Sequence, residues 1–516
     1  MAIATLKFDE NGNPKRAKYR IVALGNLDPY SWTKDDCFAP VMSQLELRLL
    51  VSKCVSDRRN LKNMDVKQAF CQSNLPDNEN YIMRPPPGCP LTPKNTYMLL
   101  RKTLYGLKRS PRHWYDKAKS ILEDIGLTQC PHSPCLFFGE IIPGKPPIYI
   151  GLYVDDIAYY SLSDEVERYF ESEIVKRVTA VDIMGTITHF LGIKFTWINH
   201  PDGHVTCKLS QEAFVDNLVQ LAELESLALS SPTTPYRSGL PVDSIGHPPP
   251  SDPVERQILE TKYRSIVGSL NWLAHSTRPD ISTITSLLAQ HQSKVSKSHL
   301  TSARFVVKYL KGTRNRGISF SSRESSKISS FVKFEVKPNS ITAMTDANWG
   351  PQDQSELTPK YNKKLTELEN FVTCSMSGFL VWYNGPLHWC AKRQKCTSRS
   401  SAESEIYATD ECVKVLLELK NIITDLGWSK TLLPRAIPVF NDNTACVSWS
   451  KSTTSKRIRH MQIRENAIRD SVLAQFVTIS HCDGKTNLAD IFTKEDRDSL
   501  HFISIRNLIT CDTSIP

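Results

Sequence analysis

The apolar and polar positions of the first part of the chain predict alternating strands and helices. The run "YIGLYVDDIAYYS", residues 149–161, reads as a buried hairpin whose turn carries two adjacent aspartates. The segment "LKNMDVKQAF" reads as a strand that runs into a helix, and Asn11-Gly12 marks a tight turn between two extended segments. Apolar residues at helical spacing predict helices around residues 45–54, from an N-cap at Ser110 to Gly126, and near residues 164–178.

The second part of the chain begins after a proline-rich stretch, residues 231–253, which we interpret as a linker. Two helical segments follow, and on the second of them the apolar residues share one side. Its basic residues Arg304, Lys308 and Lys311 share another side, which is either a solvated surface or a contact for nucleic acid. From residue 331 the pattern predicts strands, a polar loop at 351–370, a hairpin, and a long helix that starts at Ser400.

Composition and charge narrow the class of protein. The 516 residues are enough for roughly three or four domains of globular composition. A net charge of +10 suits a polyanionic partner, and the 14 cysteines lack the spacing of zinc sites. The apolar runs are too short to span a bilayer, and we see no signal segment. We therefore expect no membrane association and an intracellular protein, cytoplasmic with the nucleus as a second option.

Carboxylates at predicted strand ends are the strongest chemical signal in the first part. Asp155 and Asp156 interrupt the hairpin, which taken alone is equally well explained as a polar turn. Asp65 also ends an apolar strand. Two such sites that meet at one sheet edge can hold two Mg²⁺ ions for in-line phosphoryl transfer.

The second part repeats this signal with four more carboxylates. Asp346 and Asp442 end predicted strands, and Asp490 lies near a helix start. Of two glutamates after Ser400, Glu403 fits a capping box, while Glu405 lies on nearly the opposite side of the helix and is the candidate metal ligand. Asp346, Glu405, Asp442 and Asp490 suggest a two-metal site that hydrolyses a phosphodiester.

Several ordered motifs carry a family resemblance. They are "MDVKQAF", "RPPPG", "KTLYGLKRSPRHWY", "CLFF", "YVDD", "FLGIKF", "YRSIVGSLNWLAHSTRPDI" and "KYLKGT". In this order the chain resembles copia-type long-terminal-repeat retrotransposon Pol polyproteins, over the reverse transcriptase and ribonuclease H region. The resemblance implies an α+β fold: a right-hand polymerase (fingers, palm, thumb, connection) followed by an α/β ribonuclease H-like domain. It implies Mg²⁺ or Mn²⁺, two ions per active site.

The resemblance also implies roles for individual residues. Asp65, Asp155 and Asp156 match the palm metal ligands, and the carboxylates of the second part match those of ribonuclease H, with His481 as the histidine that assists product release. Nucleotide-binding residues would be Lys18, Arg20, Phe70, Tyr105 and Gly106, with Phe70 as the gate against a ribose 2′-hydroxyl. Phe190, Leu191 and Gly192 would form the primer grip. Lys456 and Arg457 match a basic segment that could contact phosphates, although a solvated loop explains them as well.

These observations together predict a domain order and a function. We expect fingers and palm in residues 1–200, with the fingers truncated at their N-terminus, thumb and connection in 201–330, and the ribonuclease H-like domain in 331–516. The predicted activity is RNA-directed DNA synthesis with cleavage of the RNA–DNA hybrid, acting on an RNA template, a DNA primer and dNTPs. The alternatives are an inactive remnant that only binds nucleic acid, and a ribonuclease H with a polymerase-derived clamp.

Overall fold

The computed structural model describes most of the chain in two compact units. The described residues are 1–8, 14–86, 96–225, 231–236, 249–323, 326–349, 374–395, 397–451, 462–494 and 498–514. The first unit consists of Met1–Leu50 and Leu61–Ile187, and the second of Val51–Asn60 and Thr188–Pro516. Among the described helices, none combines the length and the apolar character needed to cross a membrane.

Strands dominate the first unit. They are β1 Ala2–Phe8, β2 Pro14–Ile21, β3 Lys62–Val66, β4 Ile82–Met83, β5 Met98–Leu99, β6 Thr128–Cys130, β7 Ser133–Gly139, β8 Ile148–Tyr153, β9 Asp156–Ser161 and β10 Val181–Thr186. The helices are α1 Lys34–Cys37, α2 Gln44–Ser56, α3 Ser110–Asp124 and α4 Asp164–Arg177, and the last residues of α2 are grouped with the second unit. The predicted hairpin and the predicted helices are confirmed, whereas the strand β3 leads into a 3₁₀ turn, Ala69–Cys71, rather than a full helix.

A six-stranded antiparallel sheet forms the centre of this unit. Its strand order is β10-β3-β9-β8-β7-β6. The predicted apolar stripe of α3, including Trp114, Ala118 and Leu122, packs into the same buried cluster as Phe170 and Ile174 of α4. Burial of side chains of this size stabilises a fold by about 1.5–3 kcal/mol each. The cluster fixes the sheet whose strand ends carry the predicted aspartates.

The start of α3 differs from the prediction by one residue. Ser110 is the first helical residue, and the N-cap position belongs to Arg109, which makes no side-chain capping bond. The Ser110 hydroxyl donates instead to the carbonyl of Leu104, at 2.6 Å. Because a serine can satisfy either kind of partner near a helix start, sequence spacing alone does not distinguish the two positions.

The second unit is larger and contains two five-stranded sheets. Its strands are β11 His189–Phe190, β12 Ile193–Asn199, β13 Val205–Ser210, β14 Arg316–Ser321, β15 Thr342–Asn348, β16 Met376–Trp382, β17 Pro386–Arg393, β18 Ile437–Asn441, β19 Val477–His481 and β20 Cys511–Asp512. Its helices are α5 Glu212–Leu221, α6 Pro253–Ser276, α7 Ser282–Ala289, α8 Lys297–Gly312, α9 Ser326–Val332, α10 Ser401–Asp425, α11 Ser429–Leu432, α12 Thr444–Ser450, α13 Gln462–Leu473 and α14 Ser499–Ile509.

The two sheets differ in how their strands run. The order β11-β12-β13-β14-β20 is antiparallel throughout, and β20 lies at its edge. In the second sheet the order is β17-β16-β15-β18-β19. Here β17, β16 and β15 pair in an antiparallel way, whereas β15, β18 and β19 run parallel to one another. The long helix α10 packs against β15 and β16. Parallel strands bring their carboxyl ends to one edge, and this edge positions the second set of carboxylates.

A buried ion pair lies in the helical part of the second unit. Arg278 donates to both oxygens of Asp280, at 2.9 and 2.8 Å, and the Tyr309 hydroxyl donates to the same carboxylate at 2.6 Å. Arg278 also donates to the carbonyl of Thr313 at 3.0 Å. Both charged groups of the pair are therefore well hydrogen-bonded, which is the condition under which buried charges are tolerated.

Some predicted features lie outside the described residues. They are the Asn11-Gly12 turn, most of the proline-rich linker, the polar loop 351–370, and the basic residues Lys456 and Arg457. The predicted division into 1–200, 201–330 and 331–516 stays a prediction. The α+β class is confirmed by the mixture of sheets and helices in both units.

Candidate metal centres

The turn between β8 and β9 holds the two adjacent aspartates in a constrained loop. Tyr153 pairs with Asp156, so Val154 and Asp155 form a two-residue turn. Val154 has a φ of 54°, a left-handed conformation that costs a β-branched residue about 1–3 kcal/mol. The indole nitrogen of the buried Trp114 donates to the Val154 carbonyl at 2.6 Å. The amide of Val66 donates to the Asp155 carbonyl at 2.8 Å, so helix and strand both hold the turn.

Strand register brings a row of carboxylates onto one face of the first sheet. Asp65 in β3 lies directly opposite Asp156 in β9. On the other side of β3, Asp182 in β10 lies opposite Asp65. Opposed residues on neighbouring antiparallel strands share a face, with Cβ atoms about 4.5–5.5 Å apart. The structure therefore brings Asp65 and Asp156 together beside the turn that carries Asp155, and it adds Asp182, which the sequence analysis missed.

The electrostatics of this first centre favour a bound cation. Burial, together with the charges of Asp155 and Asp65, raises the pKa of Asp156 to about 6. Lys67 pairs with Asp65 at 2.8 Å and also with Asp182. These two partners raise the pKa of Lys67. A set of mutually repelling carboxylates is the usual environment of a divalent metal site, so the residues fit such an ion.

Aromatic residues and Arg20 line the same region. Phe70 lies in the 3₁₀ turn after β3, and its ring centroid is 5.1 Å from that of Tyr105. The Arg20 guanidinium lies 5.8 Å from the centre of the Tyr105 ring. Burial raises the pKa of Tyr105, and the charges of Asp155 and Asp65 add to this effect, so its hydroxyl lies within their field. Lys18 lies in β2 opposite Thr5.

Gly106 allows the chain to pass very close to the segment after β2. Its φ is 92°, and a Cβ at this position would lie 2.1 Å from the carbonyl oxygen of Ala23. The Ala23 amide donates to the Tyr105 carbonyl at 2.7 Å. Only glycine combines that conformation with that approach. Gly106 therefore positions Tyr105 beside the strand that carries Arg20.

The second centre is a tight group of carboxylates in the second unit. Oxygen atoms of Asp346, Glu405 and Asp442 lie within 4.8 Å of one another, the one such group of three among the described residues. Asp346 is in β15, Asp442 directly follows the parallel strand β18, and Glu405 is in α10. Asp346 is 1% exposed and Glu405 5% exposed. Asp490 lies in a 3₁₀ turn, Leu488–Phe492.

Neighbouring side chains orient these carboxylates. The buried Asn441 donates to Glu405 and to the Thr345 hydroxyl, both at 2.9 Å. Thr493 donates to Asp346. A Cβ at Gly484 would lie 2.8 Å from an oxygen of Asp442, so glycine leaves room for that side chain. Hydrogen bonds therefore orient Asp346 and Glu405, as is usual for metal ligands.

Burial and mutual repulsion raise the pKa values in this second centre. Burial raises the pKa of Asp346 to about 7, with the charge of Asp490 contributing. Burial and the charges of Asp346 and Asp442 raise the pKa of Glu405, and burial raises that of Asp442. Ionised carboxylates this close together need positive charge between them, so this group fits a divalent cation.

The helix that carries Glu405 also tests the choice between the two glutamates. Ser400 is the N-cap of α10, as predicted, and its hydroxyl accepts from the Glu403 amide at 3.2 Å. The Glu403 carboxylate accepts from the Arg399 amide at 2.7 Å, one residue before the predicted partner. Glu403 thus serves the helix start, and Glu405 lies with Asp346 and Asp442.

Comparison with known proteins shows what the chain is similar to. Residues 3–235 match the family described as "Reverse transcriptase (RNA-dependent DNA polymerase)". The matched residues make up less than half of the chain. The expected α+β class is confirmed, and the match supports a polymerase fold in this part of the chain.

Similarity to relatives extends over nearly the whole chain. The Pol polyprotein of transposon RE1 from Arabidopsis thaliana is 28% identical over 95% of this chain, which spans 30% of that relative's length. That of transposon TNT 1-94 from Nicotiana tabacum is 24% identical over 95% of this chain and 34% of the relative. A foamy viral protease-reverse transcriptase solved with double-stranded DNA has a TM-score of 0.45 at 11% identity, over 93% of this chain and 66% of the other. The resemblance to copia-type Pol polyproteins is confirmed.

The residues predicted as the primer grip lie in the second unit. Phe190 is buried in β11, while Leu191 and Gly192 form the turn to β12 with φ values of 52° and 73°. Their role as a primer grip stays a prediction. His481 is the last residue of β19, where it lies opposite Asn441, and it is exposed. Burial raises the pKa of Asp442, and His481 has a smaller effect that lowers it.

Two of the basic residues on α8 make hydrogen bonds within the protein. Arg304 donates to the carbonyl of Ala222 at 2.9 Å and pairs with Glu223 at 2.8 Å. Lys311 donates to the carbonyl of Leu224 at 3.0 Å. Both therefore satisfy carbonyls at the C-terminal end of α5, a role that sequence spacing could not reveal. Their predicted contact with nucleic acid, and that of Lys308, stays a prediction.

Two residues of the second centre were missed in the sequence. The Lys494 ammonium lies 2.6 Å from Asp490 and 3.9 Å from Asp346. His501 lies 3.2 Å from the other oxygen of Asp490. Lys494 follows Asp490 by four residues, a spacing that suggests an ion pair. His501 lies in α14, and no local pattern connects it to the carboxylates.

Proposed function

We propose that the chain is an RNA-directed DNA polymerase with an associated ribonuclease that cleaves RNA–DNA hybrids. The observation that carries the proposal is the register that sets Asp65 opposite Asp156 beside the turn of Asp155, within a domain of the reverse transcriptase family. The carboxylate group of Asp346, Glu405 and Asp442 supports the second activity. The relatives are much longer, so the activities of a whole Pol polyprotein are not attributed to this chain.

Both centres would hold Mg²⁺ or Mn²⁺ on their carboxylates. Asp65, Asp155 and Asp156 are the proposed ligands in the first centre, and Asp346, Glu405, Asp442 and Asp490 the candidates in the second. When bound, such ions lower the pKa of an attacking hydroxyl or water and stabilise the charge on the transferring phosphoryl group. Asp156, with a pKa of about 6, is ionised above that pH and then available as a ligand.

The residues beside the first centre suit a nucleoside triphosphate. Arg20 and Lys18 would meet its phosphates, since a guanidinium binds phosphate oxygens in pairs. The contact between Phe70 and Tyr105 forms an apolar wall where a sugar ring would pack. A phenyl ring in that place leaves no partner for a 2′-hydroxyl and so favours dNTPs.

The rest of the proposal concerns the template and primer. Phe190, Leu191 and Gly192 would position the primer, and Lys308 with Lys456 and Arg457 would contact phosphates. The net charge of +10 favours such a polyanionic partner, with binding that weakens as salt increases. His481, exposed beside the second centre, would assist release of the cleaved product. We further propose an intracellular location.

Primer extension and hybrid cleavage test the two activities separately. Wild-type protein should extend a DNA primer on an RNA template with labelled dNTPs and should cleave the RNA of a hybrid. Asp155→Asn should lose extension and keep cleavage, and Asp442→Asn should show the reverse. A folded wild type without either activity would instead be an inactive remnant that only binds nucleic acid.

A second candidate function has its own supporting observation. The tight group of three carboxylates lies in the ribonuclease H-like part, and no comparable group occurs among the described residues of the first unit. A ribonuclease H whose polymerase part only clamps the hybrid would explain why the tight carboxylate group lies in the second unit. Cleavage by a folded wild type that does not extend a primer would favour this alternative.

A further inference from the structure

The fourth carboxylate of the second centre differs from the other three in its partners. Asp346, Glu405 and Asp442 have oxygens within 4.8 Å of one another, and Asp490 is not a member of that group. One oxygen of Asp490 pairs with the Lys494 ammonium at 2.6 Å, and the other lies 3.2 Å from His501. Both oxygens of Asp490 are thus engaged by groups of the chain itself.

The backbone of Lys494 belongs to the turn that carries Asp490, and its side chain is 44% exposed. The amides of Thr493 and Lys494 donate to the Asp490 carbonyl at 3.2 and 3.0 Å, so lysine and aspartate belong to one turn. A Cβ at Gly378 in β16 would lie 2.6 Å from Thr493 and 2.7 Å from Phe492, which shows how closely this turn packs on the sheet. The backbone of Lys494 therefore cannot move away from the centre without displacing the turn that carries Asp490.

The same ammonium reaches the edge of the three-carboxylate group. Lys494 lies 3.9 Å from one oxygen of Asp346, and the other oxygen of Asp346 accepts from Thr493. Lys494 thus bridges Asp490 and Asp346, as a second divalent ion would if it shared a carboxylate with the first. A resident positive charge there opposes the entry of another cation, because like charges about 4 Å apart repel each other.

We propose that the second centre binds one divalent cation, on Asp346, Glu405 and Asp442, and that Lys494 occupies the position of a second ion on Asp490. This inference rests on the proposed function, and it replaces the two ions that the family resemblance implies for this centre with one. Lys494 would act as a positioning residue that holds Asp490 and sets the metal stoichiometry.

Counting bound Mn²⁺ tests the inference without measuring activity. The background is the triple variant Asp65→Asn, Asp155→Asn and Asp156→Asn, in which the first centre is disabled. Electron paramagnetic resonance of free Mn²⁺ during titration should give one tightly bound ion per chain. Adding Lys494→Met should raise the count to two, and Lys494→Arg, which keeps the charge, should leave it at one.

A matched control comes from the same unit. Lys414 also pairs with a buried aspartate four residues away, Asp410, at 2.6 Å. Lys414→Met should leave the count at one, since this pair lies outside the carboxylate group. Circular dichroism and thermal unfolding would verify that each variant is folded.

The outcomes separate this inference from the proposed function. Two bound ions with Lys494 present would overturn the inference, and so would one bound ion in a folded Lys494→Met variant. In either case, hybrid cleavage by the wild type would still support the proposed nuclease. No bound Mn²⁺ in the background variant, together with no cleavage by the wild type, would overturn both.

Discussion

Asp65 lies directly opposite Asp156 where β3 pairs with β9. The two carboxylates meet because opposed residues of antiparallel strands share a face of the sheet. A register slip of one residue would send one of them to the other face. The neighbouring strands β10 and β8 pair on either side and hold that register.

Replacing Asp156 should reduce primer extension more than replacing the nearby Asp182, because only Asp156 is a proposed metal ligand. We expect Asp156→Asn to reduce primer extension by about 100-fold or more, equivalent to about 2.7 kcal/mol of transition-state stabilisation. Asp182→Asn, in the same row but on the far side of Asp65, should cause a loss of less than about tenfold. Steady-state kinetics on both variants check this, and equal losses would argue that the row acts as one acidic surface.

The Phe70 ring should control the choice of sugar. We expect Phe70→Ala to increase ribonucleotide use relative to dNTPs by about 10- to 100-fold, because the apolar wall against a 2′-hydroxyl is removed. Single-nucleotide incorporation of a ribonucleoside and a deoxyribonucleoside triphosphate measures this ratio. Tyr105→Phe keeps the neighbouring ring and is the control, and an unchanged ratio in Phe70→Ala would refute the role.

The buried pair of Arg278 and Asp280 should dominate the stability of its region. Asp280→Asn leaves Arg278 buried without its counter-charge, and we expect it to cost about 3–5 kcal/mol of unfolding free energy. Asp202→Asn removes the exposed partner of Arg323 and should leave the urea midpoint unchanged. Urea unfolding followed by circular dichroism compares the two. A small effect of Asp280→Asn would mean that the network contributes little.

The same pair predicts a pH dependence. Burial alone would raise the pKa of Asp280, but the charge of Arg278 and the hydrogen bonds from Arg278 and Tyr309 outweigh it and lower the pKa. A carboxylate with a lowered folded-state pKa stabilises fully above its unfolded pKa of about 3.9, and this contribution is lost as the pH falls through the lower value. Wild-type stability should therefore fall more steeply in acid than that of Asp280→Asn, measured by urea unfolding from about pH 7 down to about pH 3, a range that reaches below the unfolded pKa.

Gly106 should be far less replaceable than another glycine with a similar backbone. Gly106→Ala adds a clash with Ala23 to the cost of a left-handed alanine, about 1–2 kcal/mol. Gly144 has a φ of 75°, and a Cβ added there would meet nothing within 4 Å, so Gly144→Ala incurs only the backbone cost. We expect Gly106→Ala to lower the thermal midpoint more and to reduce primer extension. Identical midpoints would contradict the close approach.

Local patterns picked out the candidate ligands, and the family resemblance supplied their roles. Asp155 and Asp156 interrupt an apolar hairpin, and the helical angle between Glu403 and Glu405 separated the capping residue from the member of the carboxylate group. Such signals lie within a few residues of each other. They can therefore be recognised without knowledge of the fold.

Contacts between distant segments could not be read from the chain. Asp182 joins the carboxylate row through the pairing of β10, and His501 reaches Asp490 from another helix. Arg304 and Lys311 resembled free basic residues, but they satisfy carbonyls near the end of α5. Which charges are already engaged depends on tertiary packing, and periodicity contains no information about it.

The edge strand β20 has a practical consequence. Its residue Cys511 pairs with Gly317, and Thr513 donates to the Asn315 carbonyl at 2.7 Å, so a short segment nearly 200 positions downstream covers the outer edge of β14. Arg506, just before it, donates to the carbonyl of Thr233 at 3.0 Å. A premature stop codon shortly before residue 506 would thus leave an unpaired strand edge open to aggregation, and a shortened version made for crystallisation should retain this segment.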